Sequence, residues 1–356
     1  DERGEPTGIL QENANMLADA AVPLPTDDDM VAAIRLGQRE AWKRGITGIE
    51  TLDAFRDRFP LAAFERVRDA GELGIRAHIG IPRLDLDLAI ARGLRTNEGD
   101  AWLRVGHVKI FTDGALGSQT AALDEPYEGT ADRGILTIEP DVLAREVAKA
   151  AEHGIAAAIH AIGDRAVHTA LEAIAPTRRT APQLRPKIEH VQLVRVSDLG
   201  RFASLGIVAS MQPIHATSDR DLADHYWGPR RVGRAYPWRT LLSSGAVLAF
   251  GSDSPVEPID PLLGIYAAVA RRRPGDADAW TPEQRLTLDE ALKAYSSGAA
   301  YALGRERESG TLAPGMWCDA TVLDRDLARV RESEILEARI RATVSGGVVR
   351  FDDGLA

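Results

Sequence analysis

Four residues scattered along the 356-residue chain could share one chemistry. Lys109 lies in the apolar run HVKIF, His160 in IAAAIHAIGD, His190 in KIEHVQLV and Asp253 in VLAFGSDSP, at separations of 51, 30 and 63 residues. Histidine and carboxylate around an open position form the donor set of a divalent cation that activates water for hydrolysis. A lysine inside an apolar strand needs a partner or a task, because an unpaired buried ammonium is costly. Protonated, it cannot ligate a cation. Lys109 would have to be neutral, or become an anion by carboxylation with CO2, a covalent change the sequence does not display. Each residue also has an ordinary reading. Lys109 could snorkel or pair with Asp113, and His160 could donate to a core carbonyl. His190 could share a strand-end link with Glu189, and Asp253 could be a turn aspartate in Gly251-Ser-Asp-Ser-Pro255. Four coincidences at strand ends are less economical than one site.

The elements that would hold these residues repeat one phrase. A helix ends at a breaker and an apolar strand follows at once: Gly45 before ITGIETL, Gly74 before IRAHIGI, Gly106 before HVKIF, Gly154 before IAAAIHAIG, Pro186 before KIEHVQLV, Gly206 before IVASMQP and Gly245 before AVLAFGSD. Strand starts near 46, 75, 107, 155, 187, 207 and 246 give about 33 residues per step, the length of one β/α unit. Amphipathic helices are predicted between them, after an irregular opening over residues 1–25 and a helix capped at Thr26. Near-continuous apolar strands alternating with helices imply a parallel sheet buried on both faces. The fold expected is α/β, a TIM-type (β/α)8 barrel short of its first strand. The alternative is a doubly wound open sheet. No G-x-G-x-x-G follows any strand, and polar residues gather at the C-terminal ends of many strands instead of at one switch point. Thr287 and Glu290 predict a capping box on a helix running to Leu303. Beyond it the texture changes to a turn at Gly310–Gly315, a strand at Ala320–Leu323 and a hairpin around Gly346-Gly347. The expected division is a barrel over residues 1–304 and a small β appendage over 305–356.

Composition excludes several classes. The net charge of −10 argues against nucleic acid and against an anionic membrane surface as partners. No apolar run approaches the roughly 18 residues that cross a bilayer, and no signal peptide is visible. The single cysteine, Cys318, excludes an internal disulfide framework and fits a reducing, cytoplasmic compartment. The partner expected is a small-molecule substrate.

Taken together, GITGIETL, VKIFTDGALGSQTAAL, GIAAAIHAIGDRAV, KIEHVQLV, ASMQPIHATSD, AFGSDSPVEPIDPLLGI and GTLAPGMWCDATVLD resemble the amidohydrolase superfamily. The narrower resemblance is to amidohydrolase family 3, the branch that includes N-substituted formamide deformylases, over about residues 7–351. It implies that Lys109 bridges two metals, that His160 and His190 bind the second metal, and that Asp253 binds metal and shuttles the proton of the attacking water. It implies one or two Zn²⁺ or similar divalent ions. The family's first strand ends in His-x-His, and no such pair occurs among the eight histidines. The chain is therefore expected to begin after strand 1 and to lack half of the appendage, whether cut short or completed by a second chain. The exposed barrel edges leave self-association open.

Further residues are candidates for substrate contact. His215, in Met211-Gln-Pro-Ile-His215, could hold a carbonyl or a developing oxyanion. Asp113 and Gln119 follow Lys109; Gln119 stands where the family usually has arginine. His78 is expected at the active face. The basic-aromatic segment Asp224–Tyr236 reads as a lid or specificity wall. His107, His153, His168 and His225 read as structural or surface residues. Two functional readings follow: a hydrolase of an amide or other C–N bond, or an inactive barrel that only binds.

Overall fold

The computed structural model describes residues 7–8, 18, 21–52 and 59–354. The opening stretch lies largely outside them. The helix-then-breaker phrases become β/α units, except that Gly106, expected to precede its strand, lies inside it: that strand starts at Leu103, well after the helix Leu86–Ala91 ends. β1 (Gly48–Thr51), β2 (Arg76–Pro82), β3 (Leu103–Phe111), β4 (Ala157–Ala161), β5 (Lys187–His190), β6 (Val208–Met211) and β7 (Leu248–Phe250) pair in parallel, in chain order. The seven strands form a curled half-barrel with helices packed outside it. Among the described residues the ladder is open between β7 and β1. Every residue of β2, β4 and β5 is buried, which is why β4 reads as an apolar run without alternation, while β5 buries the polar residues Lys187, Glu189 and His190. Gly206 shows how one phrase ends: it takes φ 62° after the helix Arg201–Leu205, a left-handed turn that a residue with a Cβ resists.

The first helix, Asp27–Lys43, starts with a reciprocal capping box between Thr26 and Asp29, and Thr287 with Glu290 forms another. The long helix expected after Thr287 is instead three pieces. Leu288–Lys293 is α-helical, Ala294–Gly298 is a π turn and Ala299–Ala302 is α-helical again. At Gly298 this segment lies against the backbone of β7, where an added Cβ would sit 2.1 Å from the Leu248 carbonyl oxygen.

β8 (Ala320–Leu323), β9 (Ile340–Ser345) and β10 (Val348–Asp352) form an antiparallel sheet in the order β10-β9-β8, with Gly346 and Gly347 at positive φ in the hairpin. It docks on the first helix, where Thr343 Oγ1 donates to the Trp42 carbonyl and Thr321 Oγ1 to that of Gly45, each at 2.6 Å. It is also tied to the barrel through Asp319, just before β8. The guanidinium of Arg76 in β2 pairs with Asp319 and lies over the rings of Trp102 and Trp317 at 4.6 and 3.7 Å. Among the described residues no helix is long and apolar enough to cross a membrane.

Candidate metal centre

Lys109 sits two residues before the end of β3 and is 8% exposed. Burial pushes its ammonium below the ordinary lysine range, with Glu189 and then Asp253 pulling the other way. Its Nζ lies 4.7 Å from the centre of the Phe111 ring, and among the described residues it makes no hydrogen bond. His160, in β4, pairs across the ladder with Phe111. Its Nε2–H donates to the Gly114 carbonyl at 3.0 Å, which leaves Nδ1 as its lone pair.

At His190 the chain leaves the pleat. His190 has φ 74° and Val191 φ 48°, backbone that non-glycine residues seldom adopt and that gathers at working sites. The turn brings the His190 ring to 4.5 Å from that of His160 and 5.9 Å from that of His215, centre to centre. His190 Nδ1 lies 2.9 Å from Gln212 Oε1, an acceptor, so this nitrogen carries the proton and Nε2 is free for a cation. His215 stands on the short helix Pro213–Ser218 after β6. Its Nε2 is buried with no hydrogen-bond partner and lies 3.7 Å from Asp253 Oδ2. Asp253, after β7, is also at positive φ, 59°. His190, His215 and Asp253 each place one donor atom within 4.8 Å of the others.

The electrostatics suit cation binding. Burial, then Lys109, holds His160 down to about 3, and burial holds His215 at about 4. Burial followed by His160 and Lys109 keeps His190 well below the ordinary histidine range. All three rings are therefore neutral near pH 7 and keep a lone pair. Lone pairs on the neutral rings of His160 and His190, the Asp253 carboxylate and a lysine whose neutral form burial favours fit a divalent cation.

The other candidates fare differently. Asp113 is not turned to a substrate. Its carboxylate accepts from the backbone N–H groups of Ala122 at 2.9 Å, Ile162 at 3.1 Å and Gly163 at 2.8 Å, and it lies 3.4 Å from His160 Nε2. It braces the loops around His160. Gln119 is half-buried in a turn at φ 56°, its N–H closing on the Leu116 carbonyl. His78 is at the wrong end. β2 does not stop at Gly80 but runs on to Pro82, so Pro82 pairs with Lys109 while His78 pairs with Arg104, deep in the sheet. There it accepts from Arg305 Nε at 3.0 Å. Residues 224–236 run from the end of the helix Arg220–Tyr226 through the helical turn Pro229–Val232, with Trp227, Arg231, Val232, Ala235 and Tyr236 buried and Asp224, His225, Pro229 and Arg230 exposed. They are clamped by Arg271, fully buried at φ 49°, whose guanidinium donates to the carbonyls of Ala235 at 2.9 Å, Tyr236 at 3.0 Å and Trp280 at 3.0 Å.

Sequence reasoning missed a chain of polar groups that runs up the barrel interior to the site. His107 Nδ1 lies 2.6 Å from Glu50 Oε1, and its Nε2 lies 3.0 Å from the Arg185 carbonyl. Glu50 pairs with Lys187, and Lys187 Nζ reaches Glu189 at 2.7 Å. Gln212 Nε2 lies 3.5 Å from Glu189 Oε2, and the far end of Gln212 receives His190. Glu189 thus pairs with Lys187 and not with His190. The one available signal was the i, i+2 spacing of Lys187 and Glu189, which puts both on one side of β5.

The Amidohydrolase family model matches residues 1–351. YtcJ of Bacillus subtilis (strain 168) is 32% identical over 360 residues, covering 99% of this chain and 67% of YtcJ. An N-substituted formamide deformylase of Arthrobacter pascens is 27% identical over 98% of the chain and 66% of its own length. The crystal structure of an uncharacterized metal-dependent hydrolase from Pyrococcus horikoshii OT3 superposes with a TM-score of 0.80 at 32% identity, covering 92% of this chain and 66% of that one. The chain thus spans about two thirds of the length of these relatives. With the half-barrel, the strand-end histidines and the match along nearly its whole length, the chain belongs to the amidohydrolase family.

Proposed function

We propose that this protein is a metal-dependent hydrolase that cleaves an amide-type C–N bond in a small molecule. The observation that carries the proposal is the convergence of His190, His215 and Asp253 within 4.8 Å, beside His160 and a buried Lys109. The cation would be zinc or a similar divalent ion, one or two in number, held by His190 Nε2, Asp253, His160 Nδ1 and Lys109. When bound, such an ion supplies Lewis acidity, making water easier to deprotonate and a carbonyl easier to attack. Lys109 joins such a site as a carbamate: its neutral amine forms an N–C bond to CO2 and one proton is released. Burial favours the neutral amine that this requires. Asp253, whose side chain is 37% exposed at the mouth, takes the proton of the attacking water and returns it to the leaving nitrogen. His215 contacts the carbonyl oxygen. The work is assigned to the cytoplasm, on a small substrate.

The test is metal content by plasma mass spectrometry after reconstitution with Zn²⁺ or Co²⁺, alongside turnover of a panel of N-formyl and N-acyl amines. Asp253→Asn should cut turnover at least about 100-fold, the scale of a lost proton shuttle. A protein that takes up neither ion and hydrolyses nothing in the panel would remove the proposal.

A further inference from the structure

We infer that two glutamines assign opposite roles to the two neighbouring histidines. Gln212 makes His190 a lone-pair donor to a cation, and Gln192 makes His215 an N–H donor to the substrate's carbonyl oxygen. The inference rests on the hydrolase reading for the identity of these ligands, but not for the assignment itself.

A neutral imidazole has one N–H and one lone pair, and whatever faces one nitrogen fixes the other. Gln212 is oriented by Glu189. A carboxylate only accepts, so the amide nitrogen of Gln212 turns toward it, at 3.5 Å, and Oε1 faces His190 Nδ1 at 2.9 Å. His190 must then be protonated at Nδ1, with its Nε2 lone pair on the opposite side of the ring.

At His215 the polarity is reversed. Gln192 lies with its amide nitrogen 3.4 Å from Nδ1 and its Oε1 buried without a partner, an orientation in which Nδ1 accepts and Nε2 carries the hydrogen. The other end of the ring agrees. Nε2 is buried without a hydrogen-bond partner and faces the Asp253 carboxylate at 3.7 Å, where an N–H is favoured over a second lone pair. Gln192 is itself 3% exposed and anchored through its backbone, whose carbonyl accepts from Tyr236 N at 2.6 Å. Tyr236 belongs to the segment clamped by Arg271, so the clamp supports the residue that orients His215. The nearly parallel rings of His190 and His215, 20° apart in plane, thus present unlike edges to one space, and the three-donor geometry around Asp253 contains two cation ligands and one hydrogen-bond donor. Gln192 and Gln212 act through the histidines and are positioning residues.

The decisive measurement is a long-range ¹H–¹⁵N correlation spectrum of metal-free, ¹⁵N-histidine-labelled protein, with each ring assigned by substitution. It separates the two neutral tautomers directly. The expected result is Nδ1–H for His190 and Nε2–H for His215. Finding both rings in the same tautomer, or the pair exchanged, overturns the inference. A second arm uses Gln192→Glu, whose carboxylate can only accept and so forces His215 to Nδ1–H with a lone pair at Nε2. Titrated with Co²⁺ alone and followed by its visible absorption, this variant should bind at least about tenfold more tightly than the unsubstituted protein, because a ligand has been added. Unchanged or weaker Co²⁺ binding, with His215 shown to be Nδ1–H in the variant, also overturns it. Failure of the hydrolase reading looks different: no Co²⁺ binding by either protein, with the tautomers as assigned.

Discussion

Lys187→Met is the substitution whose effect the structure fixes most firmly. Lys187 is 4% exposed and lies between two buried carboxylates, Glu50 and Glu189, whose side chains are 7% and 4% exposed. Methionine keeps the length of the side chain and removes its charge, so little packing is lost. What remains is two carboxylates in an apolar interior that have lost the lysine they share. Breaking a buried pair by removing one partner costs about 3–5 kcal/mol. An unfolding entropy of about 2.1 cal/mol/K per residue gives about 0.75 kcal/mol/K for a chain of this length, so Tm should fall by about 4–7 °C at pH 7. The pH dependence is the sharper test. Burial alone would raise the Glu50 carboxyl, but Lys187 and then His107 pull it well below its ordinary 4.5. A carboxyl whose folded pKa is depressed contributes stability that is present above the unfolded value and is lost as pH falls through the folded one. Without Lys187 the sign reverses at Glu50, because burial, which raises its carboxyl, is no longer outweighed. Its contribution is then present below about pH 4.5 and is lost as pH rises. Urea unfolding at pH 4, 5.5 and 7 should therefore show the unsubstituted protein weakening toward pH 4 and the variant strengthening relative to it. Adding Glu50→Gln to Lys187→Met should restore at least half of the loss. A Tm within about 1 °C of the parent, or identical pH slopes, would mean that the carboxylates are solvated and the interior chain is not a dry network.

Other outcomes are equally specific. Arg271→Met strips the carbonyls of Ala235 and Trp280 of their donor, at about 1–3 kcal/mol each when buried, while that of Tyr236 keeps Trp238 N–H; residues 224–236 should then be cut faster by trypsin at Arg230, Arg231 and Arg234, with little change if another donor replaces the guanidinium. Gly163→Ala would put a Cβ 2.0 Å from the Ala122 carbonyl oxygen; it should cost about 1–3 kcal/mol as overpacking and weaken Co²⁺ binding by disturbing the Asp113 brace, and wild-type melting would show that the loop yields. Because burial holds His160 down to about 3 and His190 well below the ordinary histidine range, Co²⁺ affinity should not fall through histidine protonation between pH 8 and about 5; a midpoint near the ordinary histidine value of 6.5 would mean that the rings are hydrated.

The half-barrel was legible because its signal is local. Most strands follow a helix and a breaker within a few residues, β3 being the exception, and β2 and β4 are buried on both faces, so apolar runs mark them directly. Strand ends were less legible. His78 was expected at the active face, yet β2 continues to Pro82, so the C-terminal end of the strand lies beyond His78 and leaves it inside the sheet. The convergence of His160 and His190 could be reasoned from parallel strand order, since neighbouring β/α units put their C-terminal ends side by side. Their orientation could not. It depends on φ 74° at His190 and on two glutamines whose neutral side chains carry no charge pattern to read. The Glu50–Lys187 pair joins residues 137 positions apart, and only the curl of the sheet shows that they meet. Asp113 was misjudged because an acid in a glycine-rich loop looks available for substrate, whereas three backbone N–H groups consume it.

The pairing of Arg76 with Asp319 also sets an order of events during synthesis. Arg76 leaves the ribosome 243 residues before its counter-ion exists. At about 5–20 residues per second that is roughly 12–50 s. For that interval β2 carries an uncompensated guanidinium at the edge of a core that is otherwise ready to close, with only the Ala101 carbonyl and the Trp102 ring near it. The barrel strands can align while translation proceeds, but the arginine is neutralised only when the last tenth of the chain emerges. Nascent chains halted before Asp319 should consequently remain open to proteases around β2, and those halted after it should not.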